Sequence, residues 1–385
     1  MEPKTIVVVG GGYAGIHVIH HMKKIFKHEL GKTIRLLLID KNTYHLRKVL
    51  LFKPVVEKAD IHIPLKSYCG SQVELLQGEV LTIDSTINSL QLASTQGFQQ
   101  IHYDYLVLAV GSVVREVDLG KGGVALDGIP SAESIRKQVM DRLADLQRAS
   151  EKKLRIAVVG GGITGIETAA EMAVWLNRET KNSPIEVQMS LFNTSQRLLP
   201  HTPDKVGRRL EQELTQLGVK VIHGTRVDRF HEGILHFTDQ SRQQADVCIW
   251  TTGLEANPIL RQFGLPLATD GRLLVESDYR VTGTSRIYAL GDAAHLSDPT
   301  TGQVATMTCK EAIPQAERVC KNIRASLEGG RPVLHEQYPP LYCIGLGPDK
   351  GLVWSQKWGI DFIVTGRLGE KIRRYTWDQA SLVQN

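Results

Sequence analysis

The hydrophobic pattern of the chain repeats. Thr5-Ile-Val-Val-Val-Gly-Gly-Gly-Tyr-Ala-Gly-Ile16 and Arg155-Ile-Ala-Val-Val-Gly-Gly-Gly-Ile-Thr-Gly-Ile166 share one layout, 150 positions apart. Each β-branched run predicts a buried strand. After the glycines the apolar spacing turns helical, through Ile16, Ile19 and Phe26 in the first copy and Ile166, Ala169, Ala170 and Ala173 in the second. Strand, tight turn and helix are therefore predicted twice. A further buried strand follows each helix, Ile34 to Ile39 before Asp40 and Ile185 to Phe192 before Asn193.

Two short apolar runs closed by glycine, Asp104 to Gly111 and Asp246 to Gly253, are expected to be connections returning the chain between domains. Arg286-Ile-Tyr-Ala-Leu-Gly291-Asp292 reads as a strand ending in Gly-Asp. Val206, Leu210, Leu214 and Leu217 predict one helix face, closed by Gly218. Beyond Gly329-Gly330-Arg-Pro332, a linker by composition, the tail reads as short strands at Leu341–Leu346, Leu352–Gln356 and Ile360–Val364. A last helix from Gly366 sets Leu368, Ile372 and Tyr375 on one side, with Arg367, Lys371, Arg373 and Arg374 nearby. Such a helix suits an anionic membrane surface. Its short, weakly apolar face favours docking or dimerisation with solvated charges instead.

The glycines carry the chemistry. Gly10, Gly12 and Gly15, like Gly160, Gly162 and Gly165, have G-x-G-x-x-G spacing. The first allows the turn, the second lets the backbone approach a pyrophosphate, and the third lets helix and strand pack closely. The pyrophosphate then meets free N–H groups at a helix N-terminus. Asp40 is placed to accept hydrogen bonds from an adenosine ribose. Its counterpart Asn193 carries no charge, so the second site lacks the usual device for rejecting a 2′-phosphate and leaves NADH and NADPH open. Asp292, after Gly291, is positioned for a polyol chain. Tyr13, Ala14, Lys41, Ala109, Gly111 and Gly253 complete the candidate cofactor-binding set.

Composition narrows the class. The net charge of +5 over 385 residues is mild, and the basic residues are spread out, which argues against a nucleic-acid partner. No apolar run approaches the ~18 residues of a membrane span, and the N-terminus has no signal-peptide layout, which gives the expectation of a cytoplasmic protein. Five cysteines, none in a CxxC pair, speak for buried free thiols, with no metal site and no catalytic thiol expected.

Together these residues resemble the two-dinucleotide-binding flavoproteins of the pyridine nucleotide-disulfide oxidoreductase fold, over about residues 4 to 330. The resemblance implies an α/β protein with two Rossmann-like domains, one for FAD (residues 1–114 and 255–328) and one for NAD(P)H (115–254), and a small α+β C-terminal interface region, 329–385. The region after Asp40, Asn42-Thr-Tyr-His-Leu-Arg-Lys-Val-Leu-Leu51, lacks the cysteines of the disulfide reductases. That stretch, Gly162-Ile-Thr-Gly-Ile-Glu167, Arg197-Leu-Leu-Pro200 and the Cys309–Ile323 helix are similar to the type II NADH:quinone oxidoreductase and apoptosis-inducing-factor-like branch. The branch implies hydride transfer from NAD(P)H to FAD and two electrons passed to a quinone or other small-molecule acceptor, without a cysteine relay. It places Glu167 toward the nicotinamide and the acceptor channel, as a positioning group or proton carrier. Lys310, at the start of the Cys309–Ile323 helix, is a candidate to favour the anionic reduced flavin or to hydrogen-bond a quinone carbonyl. Two departures bear on the acceptor: Cys309-Lys310 replaces an Ala-Gln pair, and the long C-terminal amphipathic anchor is expected to be absent. A dedicated biosynthetic oxidoreductase and a nucleotide-sensing flavoprotein remain alternatives. Peripheral contact with the inner membrane face and homodimerisation stay open.

Overall fold

The computed structural model describes residues 2–115, 119–150 and 152–383. The chain begins with β1 (Lys4–Val9), α1 (Tyr13–Ile25), β2 (Ile34–Asp40), β3 (Glu74–Gln77) and β4 (Tyr105–Leu108). It continues through β5 (Val124–Ala125), α2 (Ile129–Arg148), β6 (Lys153–Val159), α3 (Ile163–Glu179), β7 (Glu186–Phe192), α4 (Asp204–Gln216), β8 (Val219–Ile222) and β9 (Val247–Trp250). It ends with β10 (Ile287–Ala289), α5 (Cys309–Glu328), β11 (Leu341–Gly345), β12 (Gly351–Lys357), β13 (Ile360–Thr365) and α6 (Gly366–Ala380).

Two five-stranded parallel sheets result, in the orders β10-β4-β1-β2-β3 and β5-β9-β6-β7-β8. The first sheet is completed by β10 only after the second has closed. Both are covered on both faces, which is why their strands read as unbroken apolar runs. Ile6 and Val8 pack with Ile16, Ile19, Val319 and Ile323 on one side of the first sheet; Val7 and Val9 pack with Leu260, Phe263 and Leu273 on the other.

Two of the expected connections are corrected. Residues 105–108 and 247–250 are interior strands. The chain crosses between the sheets just after them, where Ser112–Val114 pairs antiparallel with Leu254–Ala256. A short run buried on both faces shows no alternation, so pattern alone does not separate such a strand from a buried connector.

The tail forms an antiparallel sheet, β11-β12-β13, followed by α6. Ile344, Leu352, Trp354 and Trp377 join the core that also holds Ile166, Ala169 and Leu176 of α3. The side of α6 that packs inward is a different one from the apolar side read in the sequence. Gly369, Arg373, Trp377 and Ala380 are buried, whereas Leu368 and Tyr375 are about 60% exposed.

Candidate dinucleotide sites

The two glycine turns have the same geometry. Gly10 and Gly160 take φ of +107° and +126°, where a Cβ would lie 2.4 Å from the Ala109 carbonyl oxygen and 2.2 Å from that of Thr251. A Cβ on Gly15 would lie 1.7 Å from the Gly10 oxygen, and one on Gly165 1.9 Å from the Gly160 oxygen. Around Gly12 and Gly162 a Cβ would meet no described residue within 4 Å. The first and third glycines are thus required by packing. The second is required by nothing in the chain itself, and a side chain there would fill an open cradle. Both cradles lie at helices whose N-termini have no side-chain cap, so their first N–H groups are available to an anion. These cradles fit a dinucleotide pyrophosphate twice over.

At the first cradle, Asp40 accepts hydrogen bonds from the N–H groups of Gly11 (2.6 Å) and Asn42 (2.7 Å), which fixes its carboxylate at the end of β2. Beside it, Lys41 is exposed, and its carbonyl accepts from Gln77. Ala14 abuts Gly291, and the Gly291 N–H donates to Gln315 on α5 at 2.7 Å, tying the Gly-Asp turn to that helix. The Ser112 hydroxyl donates to Asp292 at 2.5 Å, and Lys48 donates to the Ser112 carbonyl oxygen at 2.9 Å. Burial pushes the Asp292 carboxyl up, against the Ser112 hydrogen bond and the Lys48 charge. The Tyr13 hydroxyl accepts from the Val49 N–H, and its ring meets His45 edge-on at 4.8 Å. Gly111 and Gly253, with φ of +67° and +93°, turn the chain at the ends of β4 and β9. Ser112, Lys48 and Gln315 escaped the sequence reading. Lys48 and Gln315 lie within the Asn42–Leu51 and Cys309–Ile323 stretches, where nothing in the spacing singles them out.

At the second cradle, Asn193 stands one residue beyond the Val159–Phe192 register pair, just as Asp40 stands one beyond Val9–Ile39. It is buried, and its amide nitrogen donates to the carbonyl oxygens of Ser195 (3.0 Å) and Arg197 (2.9 Å). Arg197 is turned away, donating to the Pro200 oxygen at 2.5 Å.

Glu167 lies near the start of α3, facing α6 and β11. It is 3% exposed and forms a two-pronged ion pair with Arg373 of α6, with Nε at 2.8 Å and Nη2 at 2.9 Å. It also accepts from the Gly345 N–H at 2.7 Å. Burial pushes its carboxyl up, while Arg373, Gly345 and Lys310 pull the other way. One turn on, burial and the Glu167 charge push Glu171 up to about 7. Lys310 donates to the Leu341 carbonyl oxygen at 3.2 Å, so α5 and β11 are joined beside that pair. Arg373 also lies 4.8 Å from the Trp377 ring. Four cysteines are buried and Cys309, the first residue of α5, is half-buried; burial pushes its thiol up against Lys310 and Arg373. At the start of α5, burial raises Glu311 to about 7.

Fold and cradles define a protein with two dinucleotide-binding units. The chain belongs to the pyridine nucleotide-disulphide oxidoreductase family, whose model matches residues 4–316. The type II NADH:quinone oxidoreductase of Haemophilus influenzae is 28% identical over 368 residues, covering 84% of this chain and 81% of its own. The demethylphylloquinone reductase NdbB of Synechocystis sp. is 29% identical over 356 residues, covering 89% and 85%. Among solved structures, NDH2 from Plasmodium falciparum in complex with NADH superposes with a TM-score of 0.82 at 17% identity, over 100% of this chain and 95% of that one.

Proposed function

We propose that this chain is an FAD-dependent NAD(P)H oxidoreductase that delivers two electrons to a quinone, with no cysteine in the electron path. The observation that carries the reading is the pair of identical cradles, each with an open second glycine, one paired with Asp40 and Asp292 and the other with Asn193. Relatives named for NADH:quinone and demethylphylloquinone reduction, covered over most of their length, support the quinone as acceptor.

A bound flavin supplies acceptance of a hydride and its return as two electrons. The chain's own residues do the rest. Gly12 and the α1 N-terminus hold the FAD pyrophosphate, Asp40 binds the ribose, and Asp292, aimed by Ser112, binds the polyol chain. Gly162 and the α3 N-terminus hold the nicotinamide dinucleotide. The α5 N-terminus, where the Thr308 hydroxyl takes the Glu311 N–H, would favour negative charge on a bound flavin through its remaining N–H groups. Lys310 and the Glu167–Arg373 pair fix the junction of α5, α3 and α6, where the two units and the tail meet. Glu167, locked by Arg373 and Gly345, acts as a positioning group.

The tail supports peripheral attachment to a membrane, where a lipid-soluble quinone resides. Trp358, Ile360, Phe362, Leu368 and Tyr375 are all more than half exposed, and Lys357, Arg367, Lys371 and Arg374 lie among them. Among the described residues no helix is long and apolar enough to cross a membrane. The test is anaerobic reduction of the flavin-loaded protein by NADH or NADPH, followed by reoxidation against a panel of quinones and other acceptors. Rapid reoxidation by quinones supports the reading; reoxidation by some other acceptor class alone contradicts it.

A further inference from the structure

Asn193 occupies the strand end that Asp40 holds in the first unit, but its polar atoms are committed differently. Its amide nitrogen lies 3.0 Å from the Ser195 oxygen, 2.9 Å from the Arg197 oxygen and 3.0 Å from His223 Nδ1. Carbonyl oxygens only accept, so the nitrogen end of the amide must face this loop. His223 follows β8, and its Nε2 lies 3.0 Å from Glu211 Oε1 on α4. A carboxylate only accepts, so Nε2 carries a hydrogen; Nδ1 faces an amide nitrogen that only donates, so it presents a lone pair to Asn193. Three acceptors thus surround a group with two hydrogens, and the nitrogen has none to spare. What remains is Oδ1. It lies over the glycine turn, 2.5 Å from where a Gly161 Cβ would sit, with one long contact, 3.4 Å, to the Ser195 N–H.

We infer that the Glu211–His223–Asn193 chain makes the adenosine end of the second site an acceptor-only reader, which selects a free ribose 2′-hydroxyl over a 2′-phosphate by hydrogen-bond polarity instead of charge. The inference rests on the second cradle being the nicotinamide-nucleotide site. A hydroxyl donates to Oδ1. A 2′-phosphate brings acceptor oxygens to an acceptor, and turning the amide to meet it would strip the hydrogens from two loop carbonyls. The absence of charge at position 193 therefore does not make the two nucleotides equivalent. His223 and Glu211 act through Asn193, as positioning residues.

The test is calorimetric binding of ADP-ribose and of its 2′-phosphate to the flavin-loaded protein. The wild type is expected to bind ADP-ribose tighter by about tenfold or more. His223→Leu and Glu211→Gln should each narrow that ratio by about threefold or more, because the lock on the amide is loosened. Asn193→Asp places an oxygen against the Ser195 and Arg197 carbonyls, so it should weaken both ligands. Tighter or equal binding of the 2′-phosphate by the wild type overturns the inference. So does an unchanged ratio in both His223→Leu and Glu211→Gln, or binding of both ligands by Asn193→Asp as tight as by the wild type. Gly162→Val separates the two levels of the argument. If both ligands still bind that variant, the nucleotide-site reading itself fails. If Gly162→Val abolishes binding while the other variants keep the wild-type ratio, the polarity inference alone fails.

Discussion

Arg373→Met puts the weight of the α6 junction on a single bond set. The side chain keeps an unbranched apolar stem but loses the guanidinium and its charge, leaving Glu167, whose side chain is 4% exposed, with the Gly345 N–H and the more distant Lys310. Removing one partner of a buried ion pair leaves a desolvated charge uncompensated and typically costs about 3–5 kcal/mol. An exposed pair would cost about 1 kcal/mol or less. The gap between those figures decides the matter. Denaturant unfolding of the flavin-loaded protein measures it, and a loss under about 1 kcal/mol would refute the reasoning. The pH dependence supplies a second check. Without Arg373, the folded-state pKa of Glu167 rises further above its unfolded value, so the folded form binds the extra proton. The deficit is then smallest below the unfolded value and grows as pH rises through the folded one. Glu167→Gln in the same chain should recover most of the loss, since an uncharged amide no longer needs the guanidinium.

Gly12→Val should yield a chain that takes up no FAD on reconstitution, while Ala at Gly15 should fail to fold because its Cβ strikes the Gly10 oxygen; absorbance spectra and circular dichroism distinguish the two outcomes. Glu171→Gln should stabilise the protein near pH 8 and change little near pH 4: a carboxyl raised to about 7 in the fold contributes stability that is present below its unfolded value and lost as pH rises through the folded one. Thermal unfolding at several pH values measures this, and a benefit that is largest at low pH would contradict it.

The glycine turns and the strand-end places of Asp40 and Asp292 were legible in the sequence because each place is set within one supersecondary unit, where spacing along the chain is spacing in space. The tail was legible for the same reason: its strands at 341–345, 351–357 and 360–365 are joined by short turns. What pattern missed is long-range. Glu167 and Arg373 are 206 positions apart, and Ser112 and Asp292 are 180 apart. The inward face of α6 was not legible for this reason. Leu368, Ile372 and Tyr375 form its most apolar stripe, yet Arg373 faces inward because a buried carboxylate waits for it on α3. Asn193 was read by its charge alone, since the carbonyls and the imidazole that turn its amide become visible only when the 195–197 loop and β8 are folded against it.

The central claim is that the two cradles work in series, the second admitting reductant and the first holding the group that is reduced. Gly162→Val tests it most directly, in anaerobic rapid mixing that follows flavin absorbance. The account predicts a variant that retains FAD, is reduced by NADH at least about a hundredfold more slowly than wild type, and, once reduced chemically, is reoxidised by a quinone at the wild-type rate. Reduction by NADH at an unchanged rate would contradict the account.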